Sequence, residues 1–363
     1  MRLRKLGKVF AATAIALGAC AGLGLGLTTR GACAAAPGKP ADVKKMQDAL
    51  PGEAPVKPAK ARKVLVYGLA NGFVHTSIGL GQQTIAEMGQ KTGAYTSVVT
   101  DDPAMFDADK LAEFDAIVLV STTSNFMVPR VNVPGDPKKM TEEQKKEFDA
   151  KRKEAEAKLQ PHRDAEKQRL ANLVEFVRGG KGLMGIHAAT DAYYNSKDYG
   201  DVIGGFFSGH PWNEKVYLKF DDANSPLTSM FEKGQSFAVA DEIYQFTSKG
   251  KDKDGTEKQP YSRNKVRVLL SLDMSEGKTA IKKDTAATVD YPVSWVREAG
   301  KGRVFYCSLG HREEIFWNTA VLKHYLAGIQ YATGDLKANA TPSAAGTASA
   351  PPAELLRPVA ATK

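Results

Sequence analysis

Apolar residues recur along this chain in short unbroken runs. Lys63-Val64-Leu65-Val66-Tyr67-Gly68 comes first and ends on glycine; residues 95–100 and Phe114-Asp115-Ala116-Ile117-Val118-Leu119-Val120 follow. Runs of this length without alternation predict strands buried on both faces, as in a parallel sheet. A helix is expected from about residue 77 to 90, and another where Leu170, Leu173, Val174 and Val177 repeat at i, i+3, i+4 and i+7 before Gly179-Gly180. Short strands are expected at 216–220, 266–270, 291–296 and 303–308. A last helix places Leu322, Tyr325, Leu326 and Ile329 on one face and stops before Gly334. This alternation predicts an α/β fold, a mostly parallel sheet with helices on both faces.

Several stretches break the pattern. Residues 138–169 are nearly all charged, with Glu142/Lys146, Glu147/Lys151, Asp149/Lys153 and Glu154/Lys158 set acid before base four residues apart. That spacing predicts a solvated helical insertion, broken or kinked at Pro161. Residues 37–63 are rich in Pro, Ala and Lys with no hydrophobic period and read as a linker. Residues 249–260 read as a polar excursion, and 337–363 as a low-complexity tail. Residues 64–336 are then a single domain.

At the N-terminus, Arg2, Arg4, Lys5 and Lys8 precede an uncharged run from Val9 to Leu27 and small residues at Ala34, Ala35 and Ala36, the pattern of an export leader over residues 1–36. Cleavage there, retention of the run as an anchor, and lipidation at Cys20 are three outcomes. All three place the body outside the cytoplasm, periplasmic or extracellular, and confine membrane contact to this segment. Cleavage would leave Cys307 as the one thiol, so no internal disulfide is expected.

Charge first points elsewhere: 50 Lys+Arg against 41 Asp+Glu give +9. The surplus sits at the ends, because residues 64–336 hold 35 basic and 37 acidic side chains. No basic face and no nucleic-acid partner are expected.

The candidate chemistry is histidine. Gly185-Ile186-His187-Ala188 follows an apolar run, and such a small-residue frame makes the tight turn that projects a nucleophile above the sheet edge in hydrolases and amidotransferases. Open α/β sheets bind ligands at that carboxyl edge. His75 in Asn71-Gly72-Phe73-Val74-His75, His210 in Ser208-Gly209-His210-Pro211 and His311 in Leu309-Gly310-His311-Arg312 are placed in comparable glycine-bearing loops, whereas His162 and His324 read as incidental. No His-x-x-x-His or Cys-x-x-Cys spacing marks a zinc site.

Taken in order, these elements resemble the ThuA-like (trehalose-utilisation) family of the class I glutamine amidotransferase-like superfamily. The resemblance rests on residues 64–68 with Phe73-x-His75, Gly185-Ile186-His187-Ala188-x-x-Asp191, Gly204-Gly205-x-Phe207-x-x-His210-Pro211, Asp241-Glu242-x-Tyr244, Pro292-Val293-Ser294-Trp295 and Gly302 to Tyr306 with Leu309-Gly310-His311. The charged insertion departs from the family pattern. The resemblance implies a flavodoxin-like sheet with the site at its carboxyl edge, and a role in catabolism of trehalose-type glycosides or their 3-keto derivatives. His187 stands where true amidotransferases place cysteine, and imidazole forms no thioester, so glutamine amidotransfer is not expected.

Two readings follow. In the first, the protein is an enzyme in which His187 and His75 share acid/base work, or hold a divalent metal (zinc or similar) with His210 and His311. Asp191 would orient His187, Glu242 would be a second carboxylate, Arg312 would polarise a carbonyl, and Tyr193, Trp212, Tyr244 and Trp295 would stack on a sugar ring. In the second, the same pocket is a non-catalytic carbohydrate- or metal-binding module.

Overall fold

The computed structural model describes residues 36–247 apart from 130, 132 and 134, and residues 261–343. The export leader (all but its last residue), the excursion at 249–260 (all of it) and the tail beyond 343 lie outside the described residues. In chain order the elements are α1 (Pro40–Ala49), β1 (Lys63–Tyr67), α2 (Ile78–Thr92), β2 (Thr96–Thr100), α3 (Ala108–Leu111), β3 (Ala116–Val120), α4 (Glu142–Lys158), α5 (Gln160–Arg178), β4 (Gly182–Ile186), α6 (Lys197–Ile203), β5 (Phe206–Phe220), β6 (Phe237–Thr247), β7 (Arg267–Leu272), β8 (Pro292–Ala299), β9 (Gly302–Cys307) and α7 (Thr319–Thr333).

One nine-stranded sheet takes the order β2-β1-β3-β4-β9-β8-β7-β5-β6. Its first five strands are parallel, as the unbroken apolar runs predict. The remaining four continue antiparallel, so the mostly parallel expectation holds for the core of the sheet and not for its extension.

Alternate residues of the parallel strands face two separate cores. Val64, Val66, Val118, Val120, Met184, Ile186 and Phe305 pack with Leu80, Ile85 and Met88 of α2 and Leu322, Leu326 and Ile329 of α7. On the other face, Leu65, Tyr67, Ile117, Leu119, Leu183 and Val304 meet Leu111 of α3, Leu173 and Val177 of α5 and Val202 of α6. Helices therefore cover both faces, and the strand ends are where backbone and polar side chains reach the surface. No helix among the described residues is long and apolar enough to cross a membrane.

Two expectations are corrected. The stretch 37–63 is not a free linker: it forms α1, buries Met46 completely and Leu50 nearly so, and is strapped down by Gln330, which bonds both backbone groups of Val56, and by Asp335, which pairs with Arg62 at 2.6 Å. A few scattered anchors hold it, so there is no stripe for periodicity to detect. The start of the tail also returns to the body. β5 pairs with only residues 270–272 of β7, and Ser343 takes up the backbone of Val266 and Val268 left uncovered.

The insertion matches its expectation. α4 buries none of its residues, Thr141 and Gln144 form a capping box at its start, and Pro161 lies in the first turn of a new helix.

Candidate functional site

Three loops and two strands meet at the carboxyl edge of the parallel half. β4 ends at Ile186 and the chain turns at once into a short 3₁₀ segment, His187–Thr190, with His187 in the left-handed region at φ +48°. That conformation costs a side-chain-bearing residue about 1–3 kcal/mol and is characteristic of functional sites. The elbow is held from behind: Tyr306 Oη donates to the His187 carbonyl at 2.6 Å. Glycines fit closely around it: Gly310 has φ +131°, and a Cβ there would stand 2.8 Å from Ile186 Cγ2, while one on Gly185 would stand 2.7 Å from Ile203 Cδ1.

The imidazole of His187 is completely buried, and its two nitrogens have different roles. Nδ1 lies 2.7 Å from the Ser308 carbonyl, which can only accept, so Nδ1 carries the proton. Nε2 lies in a crowd: His75 Nε2 at 3.1 Å, Tyr244 Oη at 2.9 Å and Glu242 Oε2 at 3.5 Å. Glu242 Oε2 is also 3.3 Å from His311 Nδ1, and Oε1 is 3.1 Å from His210 Nδ1. One ligand atom from each of His75, His187, Glu242 and His311 falls within 4.8 Å of the others.

Electrostatics favour a neutral His75 and an ionised Glu242 in this cluster, and pull His311 the other way, toward its protonated form. Burial, followed by the neighbouring imidazoles of His187 and His311, lowers His75 to about 2, so it is neutral. Burial opposes ionisation of Glu242, but contacts from His187 and His311 outweigh it and hold the carboxyl well below its usual range. The same carboxylate raises His311 against the effect of burial. Burial raises the Tyr244 hydroxyl far above its ordinary value, so it stays protonated.

The chain next to the cluster is fixed by a residue the sequence reading passed over. Asp241 is fully buried, and its carboxylate accepts the amides of Gly310 at 2.6 Å, His311 at 3.4 Å and Arg312 at 3.0 Å. It thereby locks the loop that carries His311 against β6, where Glu242 is the adjacent residue. Ser77 ties the His75 loop to the same place by donating to the Gly310 carbonyl at 2.8 Å.

Three imidazoles and one carboxylate are a plausible donor set for a divalent ion by chemistry, and two details fit one. His187 donates its outer N–H to a backbone carbonyl, the arrangement that orients a metal-ligating imidazole. Nδ1 of His75 is buried with no partner among the described residues. His75, His187, His311 and Glu242 are thus the residues that could hold the ion.

Family membership can be read against this geometry. The model of the ThuA family, described as trehalose utilisation, matches residues 63–332. The chain belongs to the ThuA family. Among solved structures, this ThuA-family chain is similar to a ThuA-like protein from Bacteroides uniformis at a TM-score of 0.50 and 20% identity, covering 78% of this chain and 96% of that one. A ThuA-like protein from Parabacteroides merdae aligns at a TM-score of 0.46 and 15% identity, over 82% and 99% of the two chains. At such identities the first likeness concerns the fold. No curated protein sequence matches the chain.

The structure brings His75, His187, His311, Glu242 and Tyr244 of this ThuA-family chain together and sets other candidates apart. His210 lies on β5 rather than in a loop; it is half exposed and meets the cluster at its margin, through Glu242. Both ring nitrogens of His187 face groups other than Asp191, which accepts from Tyr194 Oη instead. Arg312 is directed away, to Asn213 at 2.7 Å. Trp212 and Trp295 are completely buried and donate to the carbonyls of Ala280 and Ile203, and Tyr193 packs against Phe126 and Tyr199. These three are core residues. His324 is likewise core, bonded to Leu227 and Ser294. Burial pushes the Cys307 thiol up to about 12, which removes it as a nucleophile.

The aromatics that do flank the cluster are Phe73 and Phe207. Phe73 is 65% exposed, meets His75 edge-on and lies parallel to His311. Phe207 lies parallel to His210 and against Tyr244. Both stand in the quoted motifs, but their neighbours drew attention first.

A dependence of stability on pH follows. His75 and His324 have folded values lowered from 6.5 to about 2 and about 4, so below pH 6.5 the unfolded chain binds protons that the folded chain refuses. Glu242, depressed from 4.5, adds stability that is lost below that pH; His311, raised, works in the opposite sense and stabilises below 6.5. With two or more groups against one, the metal-free protein is expected to lose stability steadily from pH 6.5 to 4 in urea titrations. A flat or rising profile would contradict the neutral state assigned to His75.

Proposed function

We propose that this ThuA-family protein is an exported enzyme of glycoside catabolism acting on a trehalose-type sugar or its 3-keto derivative by metal-assisted histidine chemistry. The observation that carries the reading is the convergence of His75, His187, His311 and Glu242 at the carboxyl edge of the sheet. The strand order β2-β1-β3-β4-β9 of the parallel half supports a flavodoxin-like reading of the fold, in which that edge is the ligand side. The charged leader and apolar run before residue 36 support export.

A divalent ion held by the four residues, zinc or similar, would polarise a sugar carbonyl. Tyr244, kept protonated, would donate to the oxygen on which charge develops. His210, half exposed and bonded to Glu242, would exchange protons between the site and solvent. Phe73 and Phe207 would take the place of the predicted tryptophans as surfaces for the sugar ring. Phe73→Ala is then expected to raise KM three- to tenfold with kcat little changed, since such contacts contribute about 0.5–1.5 kcal/mol; an unchanged KM would remove Phe73 from the sugar site.

Turnover of 3-keto-trehalose by the purified protein, before and after chelation and with zinc restored, tests the whole reading. Product that disappears with the metal and returns with it is expected. Saturable sugar binding without product would favour a non-catalytic binding module.

A further inference from the structure

We infer that Ser121 is a second ligand-binding residue of this edge, placed beside His187 to meet an uncharged oxygen of the bound sugar, an inference that takes its ligand class from the function proposed above. The parallel strands set up the position. Val120 of β3 pairs with Ile186 of β4, which pairs with Cys307 of β9, so the next residues along, Ser121, His187 and Ser308, form one row across the three strand ends. The row is tied together: the Ser121 amide donates to the Ile186 carbonyl at 3.1 Å, and the His187 ring donates to the Ser308 carbonyl at 2.7 Å.

Two independent features single out Ser121. It is one of five non-glycine residues with positive φ among the described residues, at +47°, nearly the value of His187 at +48°. Its hydroxyl is also completely buried and has no partner among the described residues, and so are those of Thr122 and Ser308. A strained backbone and an unsatisfied hydroxyl each cost stability, and neighbouring strands put both at one residue next to the elbow histidine. Fold stability alone would favour glycine here, which relieves both features, or alanine, which removes the unpartnered hydroxyl but keeps the strained backbone. A ligand oxygen accounts for the serine.

The chemistry of the row narrows the ligand. It offers hydroxyls and neither lysine nor arginine, so it suits a sugar hydroxyl or ketone better than a phosphate or carboxylate. Ser121 and Ser308 would hold the neutral part of the sugar while the His/Glu cluster, His187 included, handles the reacting carbonyl.

Full-length Ser121→Ala and Ser121→Gly, compared with wild type in thermal unfolding and in turnover of 3-keto-trehalose, test this. Both variants are expected to raise Tm by about 2–4 °C and to raise KM about tenfold. The proposal is overturned if both variants lower Tm with KM unchanged, the behaviour of a serine held by a buried water for structural reasons. If wild type turns over no 3-keto-sugar, the function proposed above fails, and Tm decides the serine separately: a rise supports a ligand-serving residue, and a fall overturns it.

Discussion

His187→Ala is expected to lower turnover of a 3-keto-glycoside by about 10²–10⁴-fold, the range for losing a positioned acid/base or metal-holding group, while the protein stays folded. The separation of the two effects follows from how the elbow is built. Tyr306 grips the backbone carbonyl of residue 187, which alanine keeps, and Thr190 bonds the same phenol at 3.0 Å. What alanine removes is the nitrogen on which His75, Tyr244 and Glu242 converge. Near-UV circular dichroism alongside kcat checks both halves. Undiminished turnover in a folded variant would take His187 out of the mechanism.

The second large effect is expected from Glu242→Gln. Glu242 is the one anion of the cluster and touches His187, His210 and His311 together. Glutamine keeps the shape but removes the negative charge that faces all three imidazoles. Affinity for a divalent ion is expected to fall by at least the roughly 10–100-fold seen for supporting residues of metal sites. A second readout is independent of metal: His311, raised by this carboxylate, should titrate at lower pH in the variant, as NMR of the imidazole protons would show. An unshifted His311 would mean that Glu242 does not govern the cluster's charge.

Much of the sheet was legible because burial on both faces leaves an unbroken apolar run, as at residues 64–67 and 116–120. The His187 elbow was legible from small residues around one polar side chain, since Gly185 packs closely against Ile203, Tyr306 and Ala189. β6 was not. Its sequence Phe-Ala-Val-Ala-Asp-Glu-Ile-Tyr-Gln-Phe-Thr carries two acids midway, and nothing in that pattern says that they meet loops from the far end of the chain. The length of β5 was hidden by the register shifts around Gly209, where glycine and proline read as a loop. Asp241 was hidden for a related reason: its partners are three backbone amides about 70 positions away, and main-chain groups leave no mark in a sequence. The core positions of Trp212 and Trp295 were not legible, because burial and exposure of a tryptophan look alike in one dimension, whereas Tyr244 does reach the cluster.

Metal analysis of the full-length protein after titration with zinc, in wild type and in Glu242→Gln, tests the central claim most directly. One ion bound per chain in wild type, weakened in the variant and placed by diffraction among His75, His187, His311 and Glu242, is the predicted result. A wild-type protein that binds no divalent ion at these residues would contradict it.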